Sequence, residues 1–523
     1  MKKVILFIMF LTTPLLLCAG EYASMYITNN SNDQGDLGDL NTWYKVTGFS
    51  EMITSEDWSF YGTDDELDGD SDCAGKYMVR FSLSFKGAAA LWDIALDCAG
   101  TKYGIIQRRI SSIDDIGNEA GCCMVDVANS NSISLWVKAD IDPSSFTPVH
   151  SQVVIVEASQ ATTPYYAEMG ISGNSSSQTL STSWSTITNY NNTNANIAGW
   201  TYASDVLTDA TGTSGDYLAI LSVSFSGATA ADYEFGISKE DGAPYDGSYD
   251  TEIVLKRTIA SGTEDDLGNG CACGIVNLSN GNNLRIKGTI SGSYDVTIPE
   301  SNITLVKLDG TNTTPYACMK INNNSTALTL TQNTWIVESH FSDGLRDASY
   351  WEFSGTNDQL TPINLSAGYY LLNFFVSIAV PNAEANTAYN VKIAIFNNGS
   401  QIADATIVRQ LQKKTGSVRD IGAASGTAII AVDNPNVALD MRLYQNDLSD
   451  PTTIVTYSSV GLFRIATIND GILPVTLSSF TAQYLNNNAI LCWTTQSETN
   501  NLGWNVYRSE TEEFEEAIQI NTD

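Results

Sequence analysis

Residues 75–86 read GKYMVRFSLSFK, and their reading decides the fold. Tyr77, Val79, Phe81, Leu83 and Phe85 are apolar, while Met78, Arg80, Ser82, Ser84 and Lys86 alternate with them. A period of two is the signature of a half-buried strand. The same pattern returns in GDYLAILSVSF (215–225), with Tyr217, Ala219, Leu221, Val223 and Phe225 on one side. Short runs such as SISLWVKAD, QVVIVEA and NITLVKL follow, separated by Gly, Asn, Ser and Asp clusters. No stretch sustains a helical period. Strands at this spacing with turn chemistry between them predict an all-β chain of sandwiches.

Outward from that strand the sequence repeats itself. YASMYITNN at Tyr22 recurs as YAEMGISGN at Tyr166 and YACMKINNN at Tyr316, starts that are 144 and 150 residues apart. Each copy reaches a first tryptophan (Trp43, Trp184, Trp335), then a second 15–16 residues later (Trp58, Trp200, Trp351). A Gly-x-Tyr follows at Tyr77, Tyr217 and Tyr369. Further on, DDIGN (114–118), DDLGN (265–269) and RDIG (419–422) match. Units of this length are domain-sized, so the expectation is tandem domains over 21–161, 162–311 and 312–470. In the third, Tyr369-Tyr370-Leu371-Leu372-Asn373-Phe374-Phe375 is apolar on nearly both faces, which predicts a neighbouring domain or chain over its second face.

Composition bounds the function. The 523 residues carry 59 acidic and 26 basic groups, a net charge of −33, with 43% apolar residues. A chain this acidic without a basic patch does not suit nucleic acid, whose binding rests on Lys and Arg neutralising phosphates. Residues 1–20 open with Lys2 and Lys3, continue through VILFIMFLTTPLLL and end at Cys18-Ala19-Gly20, the order of a Sec signal peptide. The run is too short to span a bilayer, and no later stretch is long enough. The expected product is exported and secreted or held at a bacterial cell surface. The eight cysteines beyond it (73, 98, 122, 123, 271, 273, 318 and 492) are too sparse for a disulfide-built scaffold and lack zinc-site spacing.

The Gly-x-Tyr, the long alternating strand and the short strand ending in Asn398-Gly399 resemble the jelly-roll head of the complement globular-head and tumour-necrosis-factor superfamily. That resemblance implies ten-stranded sandwiches that associate as trimers and bind proteins or glycans without catalysis. Three copies in one chain could then form an internal pseudo-trimer. From residue 471 the sequence changes. Leu473-Pro474-Val475, Leu477, Phe480, Trp493, Glu498, Asn500-Asn501, Gly503 and Tyr507-Arg508-Ser509 resemble the fibronectin-type-III-like module of Bacteroidetes-type exported surface proteins, often followed by a type IX secretion sorting domain. The 51 matched residues are about half of the ~100 such a sandwich needs, so the domain is expected to be truncated here.

Chemistry is thinly marked. His150 and His340 occupy different repeat positions and read as ordinary strand-edge histidines, without a nucleophile to serve. Asp64, Glu66, Asp68, Asp70 and Asp72 surround Gly69 in an order that resembles an EF-hand loop, and these five are the candidate ligands of a Ca²⁺ ion, the one cofactor expected. Gly75 stands where such a loop has its bidentate Glu. The paired tryptophans read as core, because equal spacing in three copies fits packing. Trp92 and Trp136 lie outside the repeated set and are the candidates for stacking a sugar. The resulting expectation is a non-catalytic adhesion or structural protein with an extracellular protein or glycan partner. A carbohydrate-binding protein and a carboxylate-dependent glycoside hydrolase are the alternatives.

Overall fold

In the computed structural model, the described residues are 5–9, 21–35, 37, 39–110, 115–158, 166–191, 197–209, 214–244, 250–259, 267–279, 281–308, 315–363, 367–380, 388–412, 421–432, 437–446, 452–466, 477–485, 488–495, 505–509 and 518–519. No helix occurs among them. The signal-peptide boundary at residues 18–20, Asp114, Asp265, Asp266, Arg419, Asp420 and most of the fibronectin-like signature lie outside this set.

The first strands are β1 (Ile5–Met9), β2 (Tyr22–Ile27), β3 (Tyr44–Lys45), β4 (Ser50–Thr54), β5 (Trp58–Tyr61), β6 (Glu66–Gly69), β7 (Gly75–Gly87), β8 (Ala90–Cys98), β9 (Thr101–Ile110), β10 (Gly117–Val127), β11 (Ser132–Ala139) and β12 (Phe146–Glu157). From β2 on they make two antiparallel sheets, ordered β10-β7-β12-β2-β4 and β5-β6-β11-β8-β9, with β3 added to β11. Apart from the β5–β6 and β8–β9 hairpins, successive strands cross between the sheets, which is jelly-roll connectivity. The orders recur in the sheets built from residues 166–307 and 316–466, so the all-β, triple jelly-roll expectation holds. Hairpin chemistry follows the sequence: Asn398 and Gly399, at φ 49° and 78°, join Ala388–Asn397 to Ser400–Gln412. Two residues with positive φ make the turn whose twist matches paired strands.

Contacts divide the chain into two units. Gly20–Ala466 holds all three jelly rolls. The other comprises Met1–Ala19 and Thr467–Asp523, where Leu477–Leu485 pairs with Asn488–Thr495, and Asn505–Ser509 pairs with β1 and with Ile518–Gln519.

Within the large unit the alternation of β7 has a second meaning. Tyr77, Val79, Phe81, Leu83 and Phe85 fill the first sandwich. Met78, Arg80, Ser82 and Ser84, expected to face water, are buried as well, because the other repeats cover them. Three backbone-to-serine hydrogen bonds join the repeats in a closed ring: Gln107 N to Ser224 Oγ (2.8 Å), Lys256 N to Ser377 Oγ (2.9 Å) and Val408 N to Ser84 Oγ (3.1 Å). The first repeat thus contacts the second, the second the third, and the third the first. β10 and its counterparts Gly268–Leu278 and Ile421–Val432 touch one another at the centre of this pseudo-threefold arrangement. The two-faced strand of the third repeat finds its cover here: Leu371 and Phe375 join an apolar cluster continuous with the second repeat's core and with Met78, Cys122 and Met124 of the first.

The central layer explains the repeated DxG motif. Arg108, Arg257 and Arg409 occupy equivalent buried positions, and each lies over the motif glycine of its own repeat. A Cβ on Gly117 would lie 2.4 Å from Arg108 Nε, and one on Gly268 only 1.0 Å from Arg257 Nη1. Glu119 of the first repeat accepts from Arg108 at 2.6 Å and lies 3.6 Å from Arg409. Burial, with Arg108 and Arg257 nearby, pulls the Arg409 guanidinium down to about 10.

The second tryptophans are core: Trp58, Trp200 and Trp351 stand edge-on to Tyr77, Tyr217 and Tyr370 at 5.3, 5.5 and 5.5 Å. The third partner is therefore Tyr370 and not Tyr369, which is only half-buried and points to the opposite face. The first tryptophans, Trp43, Trp184 and Trp335, are half-buried on the outer sheets. Seven cysteines (73, 98, 122, 123, 271, 273 and 318) are free thiols buried in this packing.

Candidate functional site: a cleft between the first two repeats

The two proposed sugar platforms part company. Trp92 is fully buried, 5.8 Å from Phe85 and 5.2 Å from Phe146, with its Nε1 donating to Ala88 O at 3.2 Å. It faces the sandwich interior because β8 alternates in register with β11, so its ring cannot stack a ligand. Trp136 points the other way and is half-buried on the outer sheet.

Around Trp136 the strand pairing gathers a network. Lys45 on β3 lies opposite Trp136, and Asp93 on β8 lies opposite Lys138. Lys102 Nζ sits 4.0 Å from the Trp136 ring centroid and 5.6 Å from that of Trp43, while Lys138 Nζ is 4.9 Å from Trp43. Each ammonium also has a carboxylate: Lys45 with Glu66, Lys102 with Asp97 at 2.5 Å and Lys138 with Asp93 at 2.7 Å. Charge shared between an indole face and a carboxylate holds long lysine stems flat on the sheet.

The acidic cluster is not gathered into a loop. Glu66–Gly69 is strand β6, paired with β5 and β11, so Glu66 and Asp68 lie on extended backbone while Asp64 stands in the turn before it and Asp70 and Asp72 follow it. Glu66 is engaged by Lys45, and Asp70 Oδ1 accepts from Asp72 N at 2.7 Å. Asp65, which was not among the five, is the most buried carboxylate here and accepts from Gly48 N and Phe49 N at 2.8 and 2.7 Å. Among the described residues no group of three or more His, Cys, Asp or Glu side chains is placed to hold a metal ion. An EF-hand wraps one continuous loop round its ion, whereas here the ladder segment Glu66–Gly69 interrupts the run of five carboxylates.

Beside the Trp136 network a cleft of about 350 Å³ opens between the first two repeats. Lys102 and Tyr103 line one side, and Glu168, Ser172, Glu300 and Asn302 the other. Glu168 accepts from Met124 N of the first repeat at 3.3 Å and from Asn302 Nδ2 of its own. Glu300 accepts from Gly173 N at 3.0 Å. Burial pushes its carboxyl up to about 7, and Asp93 across the repeat boundary adds to this. Lys102 belongs to both features, so the indole network and the cleft form one continuous surface. The related cleft between the second and third repeats, about 310 Å³, is crossed by an ion pair between Lys320 and Glu252.

Sequence reasoning missed Glu168 and Glu300. Their signal was a carboxylate where the repeat pattern has Ser24 and Cys318 for one, and His150 and Tyr457 for the other. His150 is likewise no strand-edge residue: it is fully buried, its Nδ1 3.3 Å from Thr28 Oγ1. His340 Nδ1 lies 2.5 Å from Oε1 of buried Glu338.

No family model matches the chain, and no curated protein does. Among solved structures, it is similar to the tumour-necrosis-factor protein Eiger of S. frugiperda, with 11% identity over 30% of this chain and 97% of that one at a TM-score of 0.23. It is also similar to PNGF-II, with 10% identity over 75% and 99% at 0.24. A triple jelly-roll turret protein of an archaeal virus overlaps at 9% identity over 84% and 90%, at 0.17. Overlaps this slight carry nothing to this chain; the jelly-roll class rests on the strand order itself.

Proposed function

We propose that this chain is an exported, non-catalytic binding head, directed out of the cell by residues 1–20, whose first inter-repeat cleft takes a glycan. The observation that carries the reading is the continuity of the Trp43–Trp136 indole surface with a polar cleft of about 350 Å³ through Lys102. Sugars present both hydroxyl groups and apolar C–H faces. Glu168, Ser172 and Asn302 can exchange hydrogen bonds with the former, and indole edges can meet the latter. The second cleft has the Lys320–Glu252 pair across it, and its lining among the described residues includes no aromatic side chain.

A binding role is also favoured over glycoside hydrolysis. Glu168 and Glu300 lie on adjacent strands and are offset by four residues in register, about 13 Å along the sheet. Hydrolytic carboxyl pairs are separated by roughly 5–9.5 Å. Both carboxylates, moreover, already accept backbone amides.

Glycan-array binding by the purified chain, followed by calorimetry on any hit, tests the proposal. Lys102→Ala and Glu168→Gln should each weaken binding about tenfold or more, the loss of one or two charge-assisted hydrogen bonds. Binding unchanged in both variants would remove the cleft as the site, and turnover of the glycan would overturn the non-catalytic role. N-terminal sequencing of the exported protein checks the leader: a mature start close to residue 20 is expected.

A further inference from the structure

Where the three repeats meet, a cation is buried without a counter-charge. Arg80 is fully buried on the face of β7 turned away from its own sandwich. Its Nη2 donates to Ser425 Oγ of the third repeat. Cys271 and Cys273 of the second repeat and Cys122 of the first flank the guanidinium. Its Nε and Nη1 have no partner of good hydrogen-bond geometry, the Cys271 and Cys273 thiols that reach the guanidinium being weak acceptors, and no carboxylate pairs with it among the described residues. At the equivalent position of the third repeat stands Asn373, also fully buried, whose Nδ2 is unpartnered while its Oδ1 accepts from Thr427 Oγ1 at 3.0 Å. The second repeat has Ile220 there. Two of three pseudo-equivalent positions thus present orphaned N–H donors, and the acceptor oxygens of Ser425 and Asn373 are already engaged.

A buried ionised group is tolerated only when paired and hydrogen-bonded. The thiols do not supply that pairing near neutral pH, since burial raises all three, Cys271 to about 11. We infer that the axis of this head binds a monovalent anion of chloride size, held by Arg80 Nε and Nη1 with Asn373 Nδ2 as a further donor. One positive charge matches one negative charge, and close packing by buried strands on every side favours an ion of one or a few atoms. The ion would tie the repeats together at their common contact, because Arg80 comes from the first repeat and Asn373 from the third.

The test is thermal unfolding of the whole chain in chloride against gluconate at equal ionic strength, together with bromide-soaked crystals. A melting temperature higher by a few degrees in chloride is expected, as for any ligand bound only by the folded state. An anomalous bromide peak should lie within hydrogen-bond distance of Arg80. Arg80→Met, which removes the buried charge while keeping its bulk, should lose the chloride dependence. Equal melting in the two salts with no bromide peak overturns the inference. So does a thiolate ultraviolet signal in the parent protein that disappears in Arg80→Met, which would assign the counter-charge to a cysteine. Should Arg80→Met fail to fold, the bromide map of the parent protein decides.

Discussion

The Tyr457 hydroxyl of the third repeat donates to the Glu234 carboxylate of the second across 3.2 Å. In the sheet register, Tyr457, His150 and Glu300 are equivalent, each opposite one of the ring-forming serines, Ser377, Ser84 and Ser224. Their cross-repeat neighbours, Glu234, Lys392 and Asp93, are equivalent too. Three quasi-identical junctions therefore carry three chemistries: a hydroxyl on a carboxylate, a histidine facing a lysine, and a carboxyl facing a carboxyl.

The histidine junction makes stability depend on acid. Burial, with Lys392 adding to it, lowers His150 to about 4 from an ordinary 6.5. Between those values the unfolded chain binds a proton that the folded chain refuses. Stability is thus intact above 6.5 and is lost as pH falls towards 4, by about 3 kcal/mol in full. His150→Gln should flatten that limb of melting temperature against pH. An unchanged slope would show that the ring titrates freely.

Glu300 works in the opposite sense. Its folded value near 7 lies above the ordinary 4.5, so its contribution is intact below 4.5 and is lost as pH rises through 7, again by about 3 kcal/mol. From 4.5 to 6.5 the two slopes cancel. Glu300→Gln should raise the melting temperature at pH 8, leave it unchanged at pH 4, and uncover the His150 slope between. Equal effects at both pH values would mean that lost packing, not charge, is being measured.

A third expectation concerns the motif glycines. Gly268→Ala forces a methyl group into the Arg257 guanidinium at the centre of the head, and should cost about 3 kcal/mol or more by overpacking. Adding Arg257→Ala makes room, so the double variant should melt above the sum of the two single losses. Strict additivity would place the strain elsewhere.

The fold was legible because alternation, turn residues and threefold repetition all pointed one way. Tyr77 and its alternating partners announced the strand, and Asn398-Gly399 the hairpin. The site was less legible. The polar face of β7 reads as solvent-facing, since Ser82 and Ser84 look alike in water and at a hydrogen-bonded interface; only the neighbouring repeat distinguishes the two. Trp92 shows the same limit. Absence from the repeated set says nothing about which side of a strand a ring occupies, and register placed it inside. Glu168 and Glu300 acquire meaning only when the first repeat closes over the second.

Calcium gives a short check on the acidic stretch. With Glu66–Gly69 held in a ladder and Glu66 engaged by Lys45, replacing sodium by calcium at equal ionic strength should leave the melting temperature unchanged. A rise of several degrees would mean that the strand gives way to a loop around the ion.

Trp92 and Trp136 separate packing from binding in one experiment. Trp92→Ala empties the space between Phe85 and Phe146 and should cost about 3–5 kcal/mol, whatever the ligand. Trp136→Ala removes a half-buried ring that Lys102 overlies at 4.0 Å, a contact worth about 0.5–1 kcal/mol, so melting should barely change. Glycan affinity should respond in the reverse order. It should fall in Trp136→Ala because the ring and the Lys102 stem together shape the rim of the cleft, and persist in whatever fraction of Trp92→Ala remains folded. Affinity that tracks stability in both variants would locate the ligand away from the indole surface and leave the lysine–tryptophan network a purely structural element of the outer sheet.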